Sequence, residues 1–216
     1  MAVTLERSRE PANSGPTRDG PLPRALPWLL LVGGAVGFLA AFVLTIEKIE
    51  LIVDPSYQPS CSINPVLSCG SVMATPQAAA FGFPNSLLGI GGFAVVATTG
   101  AAWLAGAQLR SWYWAGLQIG VLFGAGFVHW LIWQSLYRIG ALCPYCMVVW
   151  AVTMPIFWYV TLRTLTAARD RAPRPFRQAA ARLTAAHGVV LTGWFLLIVA
   201  LILNRFWTFW TTAVPG

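Results

Sequence analysis

Residues 141–150 read ALCPYCMVVW, and they open an apolar segment that runs without a charged residue to Leu162. Such a segment is long enough to cross a bilayer as an α-helix, and it begins with a C-x-x-C pair, Cys143 and Cys146. Two thiols at this spacing can close a small disulfide ring that a partner's thiolate opens again, although zinc sites share the spacing. A dithiol at the mouth of a membrane helix favours exchange between a water-soluble reductant and a lipid-soluble oxidant.

Other segments of the chain are equally apolar. Of the 216 residues, 57% are hydrophobic and 10% are charged, against about 25% charged in an average globular domain, and the mean hydropathy is +0.66. Five segments approach or exceed the length that spans a bilayer, and they are 25–46, 86–107, 112–137, 141–162 and 188–207. The first is long for a signal peptide and has no small-residue cleavage site, so we expect a retained helix. The sequence therefore predicts an all-α membrane protein with five spans.

The positions of the basic residues account for the net charge of +7 without a nucleic-acid partner. Cytoplasmic loops of membrane proteins carry an excess of Lys and Arg. With the N-terminus inside, eleven basic residues face the cytoplasm: Arg7, Arg9, Arg18, Arg24, Arg110, Arg163, Arg169, Arg171, Arg174, Arg177 and Arg182. Three face outside: Lys48, Arg138 and Arg205. We therefore expect a plasma-membrane protein with a cytoplasmic N-terminus and both cysteine pairs on the extracytoplasmic side, where disulfides persist.

This topology divides the chain into four parts. We expect residues 1–24 to form a disordered cytoplasmic tail. Residues 25–163 form a four-helix core with an outer loop at 47–85. Residues 164–187 form a basic cytoplasmic loop on the anionic inner leaflet, and residues 188–216 form the fifth membrane helix and an outer C-terminus.

Within the outer loop, Asn64 and Pro65 predict the start of a short amphipathic helix, because Asn is a favoured N-cap and Pro is favoured at the first helical position. This helix would lie on the membrane surface and carry Cys69, with Cys61 on flexible chain before it. Glycines at four-residue spacing predict close approach of helices; they are Gly33 and Gly37 in the first span and Gly116, Gly120 and Gly124 in the third.

The loop cysteines, Cys61 and Cys69, are separated by seven residues. They can form a water-exposed shuttle disulfide or a structural staple, and the spacing does not distinguish the two. A C-x-x-C pair at the same face favours a redox relay. Zinc bound by all four thiolates is a further interpretation, but zinc prefers rigid ligands in a polar pocket, whereas Cys146 is expected a turn into the bilayer. We therefore expect no metal.

The expected depths of the cysteines suggest a direction of electron transfer. Cys61, farthest from the hydrocarbon, is the expected contact for a soluble dithiol. Cys69 then passes reducing equivalents to Cys143 through a transient mixed disulfide, and Cys146 faces an oxidant in the lipid. The sequence has no haem or flavin motif, so a membrane quinone, which accepts two electrons, is the expected acceptor.

The order of these cysteines resembles that of the vitamin K epoxide reductase family, specifically its bacterial disulfide-forming members. The resemblance covers about 31–162 and extends to residues 65–69 (PVLSC), to Thr75 at the family's Ser/Thr position, and to residues 83–86 (FPNS). Unrelated DsbB-type oxidases carry the C-x-x-C pair first. The resemblance implies a four-helix bundle around a quinone, with the outer loop as a lid and Asn85 hydrogen-bonded to a quinone carbonyl. Thr75 is a further candidate quinone contact, or equally a residue that only hydrogen-bonds within the loop.

Two departures from the family pattern bear on the expected substrate and on the expected dithiol partner. Trp150 stands where vertebrate members place a substrate-contacting tyrosine, which argues against vitamin K epoxide chemistry, and we keep it as a candidate quinone contact. Many bacterial members carry a fused thioredoxin-like domain, but this chain ends nine residues after Trp207. The expected dithiol is therefore a separate DsbA-type thioredoxin-fold protein.

Several alternatives remain open at this point. Menaquinone is favoured over ubiquinone only by the Ala- and Arg-rich composition. Reduction of a quinone epoxide uses the same cysteines in the reducing direction, and a membrane scaffold with structural or zinc-binding cysteines belongs to another class. His129, inside the third span, is either a functional ionisable group or a neutral hydrogen-bonding one.

Overall fold

A computed structural model of the protein describes residues 21–168 and 173–213. This part of the chain forms eight α-helices: α1 Pro21–Val53, α2 Cys69–Met73, α3 Asn85–Leu104, α4 Ser111–Trp133, α5 Pro144–Ala168, α6 Arg174–Ala185, α7 His187–Arg205 and α8 Trp207–Ala213. A 3-10 helix covers Pro76–Ala79, and a π-helical turn, Gln134–Ile139, ends α4. Across the described residues the only β pairing is one isolated parallel bridge between Leu67 and Leu142.

Five helical segments in the described part of the chain are long and apolar enough to cross a membrane: Ala25–Val53, Asn85–Leu104, Ser111–Ile139, Pro144–Ala168 and His187–Arg205. They confirm the predicted all-α membrane fold with its five spans. The first helix continues to Val53 instead of ending at 46, so its last two turns extend beyond the predicted span and carry Glu47, Lys48 and Glu50.

The tightest helix contact joins α1 to α3 and depends on glycine. A Cβ at Gly34 would lie 2.5 Å from the backbone nitrogen of Ala97, and one at Gly37 would lie 2.5 Å from the Phe93 ring. The absence of side chains lets the two backbones approach, as is usual between membrane helices. The prediction was right for both glycines of the first span, because a Cβ at Gly33 would lie 3.2 Å from the Ile156 side chain of α5.

The predicted close approach at the α4 glycines is wrong. A Cβ at Gly116 or Gly120 would meet nothing within 4 Å, and one at Gly124 would meet only Thr153, at 3.9 Å. α4 packs on α5 but lies apart from α3. All three glycines border a cavity in this gap, so they keep space open instead of bringing helices together.

The connection between α1 and α3 forms a folded cap, not a flexible chain with one surface helix. The predicted helix start at Asn64 is wrong, because its side-chain oxygen accepts hydrogen bonds from the backbone N–H groups of Val66 and Leu67 and closes a turn. The helix starts at Cys69, with Ser68 as the N-cap that accepts from the Ser71 N–H. A local turn therefore replaces the first helical turn that Asn64 would have capped.

The remaining segments also differ in detail from the prediction. The predicted tail, 1–24, lies outside the described residues as far as residue 20, and residues 21–24 already belong to α1. The predicted basic loop is largely helical, because α5 runs to Ala168 and α6 begins at Arg174. Residues 214–216 of the predicted outer C-terminus lie outside the described part of the chain.

Candidate redox site

The loop cysteines Cys61 and Cys69 are joined by a disulfide. Their surroundings differ from the expectation of a water-exposed pair on flexible chain, since Cys61 is 6% exposed and Cys69 is fully buried. Cys69 packs with Met73, Leu44 and Cys143 in one buried cluster. The disulfide is therefore covered in this structure.

A short backbone pairing brings the loop to the C-x-x-C segment. The Ser68 N–H donates to the Leu142 carbonyl at 2.8 Å, and the Leu142 N–H donates to the Val66 carbonyl at 2.7 Å. These bonds fix the residue before Cys69 beside the residue before Cys143. Both cysteine pairs consequently lie at the same end of the helix bundle.

The closest contact between the pairs is between Cys69 Sγ and Cys143 Sγ, at 3.1 Å. Cys143 is 1% exposed, so this contact is shielded from water. Thiol–disulfide exchange requires a thiolate to attack a disulfide sulfur directly. Because Cys69 is in a disulfide and Cys143 is free, the arrangement permits exchange without a large movement of either helix.

Cys143 has the electrostatic surroundings of a reactive thiol. A hydrogen bond from the Cys146 side chain lowers the pKa of Cys143 below its ordinary value, and the backbone N–H groups of Cys146 and Tyr145 act in the same direction. Burial and the charge of Glu47 oppose this shift without cancelling it. Donors at the start of α5 thus favour the thiolate, as helix N-termini commonly do for cysteine.

We expect the Cys61→Ser/Cys69→Ser variant to ionise Cys143 at a lower pH than an ordinary thiol, because the hydrogen bond from Cys146 lowers the pKa of Cys143. Thiolate forms as the pH rises through the lowered pKa, and Cys146→Ala should move the midpoint upward because the main donor is lost. The ultraviolet absorbance of the thiolate against pH, with Cys143→Ser as the blank, measures this. An unchanged midpoint without Cys146 would contradict the assigned cause.

A cavity of about 610 Å³ lies beside Cys146, in the gap between α3 and α4. Its size is typical of small-molecule sites, about 300–1,000 Å³. Most of its lining is apolar, and it extends to Trp112 and Tyr113 at the start of α4. Polar side chains come from the loop and from the helix ends beside it; they are Lys48, Gln77, Asn85, Ser86, Gln134 and Ser135.

This cavity fits a molecule with a polar head and a long apolar tail. Of the four cysteines, all of which the structure describes, only Cys146 lines it. Trp150 lies one helical turn further along α5, is buried, and also lines the cavity. The residues present are therefore compatible with a prenylated quinone whose head lies near Cys146.

Asn85 borders the cavity but already has protein partners. Its Nδ2 donates to the Gln77 carbonyl at 2.7 Å, and its Oδ1 accepts from the Ala80 N–H at 3.0 Å. One amide hydrogen and one lone pair remain, since a carboxamide offers two of each. Thr75 does not border the cavity; its hydroxyl donates to the Val72 carbonyl at 2.7 Å.

Sequence reasoning missed two residues near the end of α1. The Lys48 ammonium donates to the Met73 carbonyl at 2.7 Å and borders the cavity. Glu47 is 6% exposed and binds the loop. The available signal is two charged residues at the end of an apolar run, at the position where the sequence predicts the start of the outer loop.

His129 has the structural role of a neutral hydrogen-bonding group. Its Nε2 accepts from the Trp194 indole at 2.9 Å, which leaves Nδ1 to donate to the Ala125 carbonyl at 2.7 Å. Arg205 also bridges these elements, with Nε donating to the Leu136 carbonyl at 2.8 Å. Together they attach α7 to α4.

The sulfur atoms of Cys61, Cys69 and Cys143 lie within 4.8 Å of one another. Zinc binds cysteine as the thiolate, and two of these sulfurs are joined in a disulfide in the described state. The cluster therefore suits zinc only after the disulfide is reduced.

Comparison with known protein families gives one match. A model of the vitamin K epoxide reductase family matches residues 28–161, which is more than half of the 216 residues and includes all four cysteines. A comparison with curated proteins finds no match.

Proposed function

The chain belongs to the vitamin K epoxide reductase family, and from this membership we propose that it oxidises the dithiol of a separate DsbA-type thioredoxin-fold protein and passes the electrons to a membrane quinone. The family consists of membrane oxidoreductases that couple thiol–disulfide chemistry to quinones. The proposed specific role is to support disulfide formation in exported proteins. The observation that carries it is the 3.1 Å contact between Cys69 Sγ and Cys143 Sγ, next to a cysteine that borders an apolar cavity.

The proposed reaction begins with two thiol–disulfide exchanges that balance. A partner thiolate attacks Cys61, and the partner's second thiolate then releases it, so the partner leaves oxidised with Cys61 and Cys69 reduced. Cys69 attacks Cys143 of a Cys143–Cys146 disulfide, and Cys61 attacks Cys69 to re-form the loop disulfide. Cys143 and Cys146 then hold two electrons and two protons, which is the state that the described disulfide and free thiols correspond to.

A bound quinone would supply the acceptor for these two electrons and two protons. Cys146 borders the cavity and is the proposed donor, while the lowered pKa of Cys143 favours its thiolate, which closes the disulfide with Cys146. Asn85, with one free amide hydrogen, is the proposed partner of a carbonyl oxygen, and Trp150 a proposed wall of the site. Thr75 is proposed only as a support of the loop.

We also propose the topology predicted by the positive charges, in a plasma membrane, with the N-terminus cytoplasmic and all four cysteines extracytoplasmic. Residues 25–163 then form the catalytic core, and α7 is an accessory helix attached through Trp194 and Arg205. Labelling of single-cysteine variants in intact cells with a membrane-impermeant maleimide tests this topology. Labelling of the two pairs from opposite sides would exclude the relay.

The direct test is quinone reduction by purified protein in detergent, with a reduced thioredoxin-fold protein as the electron source. We expect quinol to form in proportion to the partner disulfide produced. Menaquinone, ubiquinone and a quinone epoxide are compared in parallel, and we expect menaquinone to react fastest. If the epoxide alone is consumed, or if metal analysis finds zinc on redox-inert thiols, the proposed function is wrong.

Filling the cavity should weaken binding of the quinone without changing the positions of the cysteines. Gly120 borders the cavity, and a Cβ there meets nothing within 4 Å. We expect Gly120→Leu to raise the KM for quinone by about tenfold or more, because the added side chain occupies the site. Gly193→Leu is the control, since Gly193 lies on the exposed face of α7 with equally open surroundings. Equal KM values for the two variants would place the quinone elsewhere.

A further inference from the structure

We propose that Glu47 is a positioning residue that fastens the chain segment before Cys61 and so keeps the loop disulfide closed over Cys143. The segment, residues 57–60, is here called the strap. This inference rests on the proposed function, since it concerns access of a reductant to the Cys61–Cys69 disulfide.

The Glu47 carboxylate is buried at 6% exposure, and its hydrogen-bond donors come from the strap. Ser60 Oγ donates to Oε1 at 2.5 Å, and the Ser60 N–H donates to Oε2 at 3.2 Å. The Tyr57 hydroxyl donates to Oε2 at 3.0 Å. Burial of a carboxylate is costly unless donors satisfy it, and here a four-residue segment supplies them. The neighbouring Lys48 instead donates to Met73.

The strap controls the position of Cys61 because Ser60 directly precedes it. A turn at Asp54, whose Oδ1 accepts from the Ser56 N–H at 2.8 Å and from the Ser56 hydroxyl, lies at the other end. Between this turn and the disulfide, the bonds to Glu47 fasten the chain to α1. Because all three bonds converge on one carboxylate, the strap is released as a unit when they break.

The closed strap favours electron transfer between the two cysteine pairs, and the open strap favours access of a soluble dithiol to the loop disulfide. With the strap closed, Cys61 is covered and Cys69 Sγ contacts Cys143 Sγ. A soluble dithiol must reach a disulfide sulfur in line. Because Cys61 is only 6% exposed, the chain at Cys61 has to move to admit the dithiol, and release of the strap permits that movement. Glu47 therefore favours transfer within the protein over reaction with stray external thiols.

The test measures how fast a membrane-impermeant phosphine reduces the loop disulfide in the full-length Cys143→Ser/Cys146→Ser protein, with a maleimide mass tag as the readout. We expect Glu47→Gln to accelerate reduction by at least about tenfold, because hydrogen bonds to a charged group are lost. Tyr57→Phe/Ser60→Ala, which removes two donors and leaves α1 unchanged, should accelerate it similarly. Glu50→Gln is the matched control, an exposed glutamate one turn along the same helix.

The combined variant, with all three substitutions, should react no faster than Glu47→Gln alone, since both changes release the same strap. A Glu47→Gln rate equal to that of Glu50→Gln overturns the proposal. So does acceleration by Glu47→Gln with none by Tyr57→Phe/Ser60→Ala, which would assign the effect to charge. If Glu47→Gln does not fold, Tyr57→Phe/Ser60→Ala tests the proposal by itself, and a rate equal to that of Glu50→Gln overturns it. The assay contains neither quinone nor partner, so its outcome is independent of whether the proposed function holds.

Discussion

Replacing Cys146 with alanine is expected to lower quinone reduction to the uncatalysed rate, with either a thioredoxin-fold protein or dithiothreitol as the reductant. Cys146 is the cysteine that borders the cavity, whereas Cys143 is 1% exposed and faces Cys69. Without Cys146, the pair beside the cavity cannot form a disulfide and release two electrons together. The measurement is the rate of quinol formation.

The same variant should accumulate a disulfide between Cys69 and Cys143. Their sulfurs are 3.1 Å apart. The variant lacks the Cys146 thiol, which would otherwise displace Cys69 from Cys143. Mass mapping of peptides under non-reducing conditions detects this bond, and Cys143→Ala is the control that cannot form it. Quinone reduction that survives in Cys146→Ala with dithiothreitol would falsify the proposed order of transfer.

Replacing Cys61 with alanine is expected to slow partner-driven quinone reduction by at least about 10²-fold, because the thiol that receives the partner's electrons is gone. Cys69 is fully buried and Cys143 nearly so, so neither offers the partner a direct route. Reduction driven by dithiothreitol should persist, since this small dithiol can reach the C-x-x-C pair, in which Cys146 is half-buried. Parallel assays with the two reductants measure the difference.

Cys61→Ala/Cys69→Ala serves as the control for this prediction, because loss of the whole loop pair should give the same pattern as loss of Cys61. Partner oxidation at the wild-type rate in Cys61→Ala would make the loop disulfide a structural staple. Loss of both activities would indicate that the disulfide is needed to fold the cap. Circular dichroism and gel filtration of each variant separate that outcome from a catalytic defect.

The outer loop contains a helix start that the local sequence predicts and the structure does not have. Asn64 followed by Pro65 is a good helix start in isolation, but the Asn64 oxygen accepts from Val66 and Leu67 instead. The reason lies elsewhere in the chain, since the carbonyl of Val66 and the N–H of Ser68 are engaged by Leu142. Extended chain at 66–68 excludes the helix until Cys69. A propensity for one local structure was overridden by pairing with a distant segment.

The environments of the α4 glycines and of Glu47 also depend on distant segments of the chain. Four-residue glycine spacing permits close approach, but whether a partner helix occupies that face depends on the arrangement of the whole bundle, and here a cavity borders Gly116 and Gly120. Glu47 looked like the first residue of a loop. It is buried because Tyr57 and Ser60, 10 and 13 positions further along the chain, donate hydrogen bonds to it. The charged residues beside it in the sequence indicate only that the apolar run ends there.

The sequence by itself determined the five spans, the all-α class and the family. Apolar length and cysteine order are properties of continuous chain, and an apolar segment of this length satisfies its own backbone hydrogen bonds in a bilayer as an α-helix. The tertiary structure alone decided that the loop disulfide is covered and that the α4 glycines border a cavity. It also gave the 3.1 Å separation of Cys69 and Cys143, whose exchange the cysteine order had predicted. These are distances between groups up to 74 positions apart in sequence, set by competition among hydrogen bonds and by packing, which no local pattern encodes.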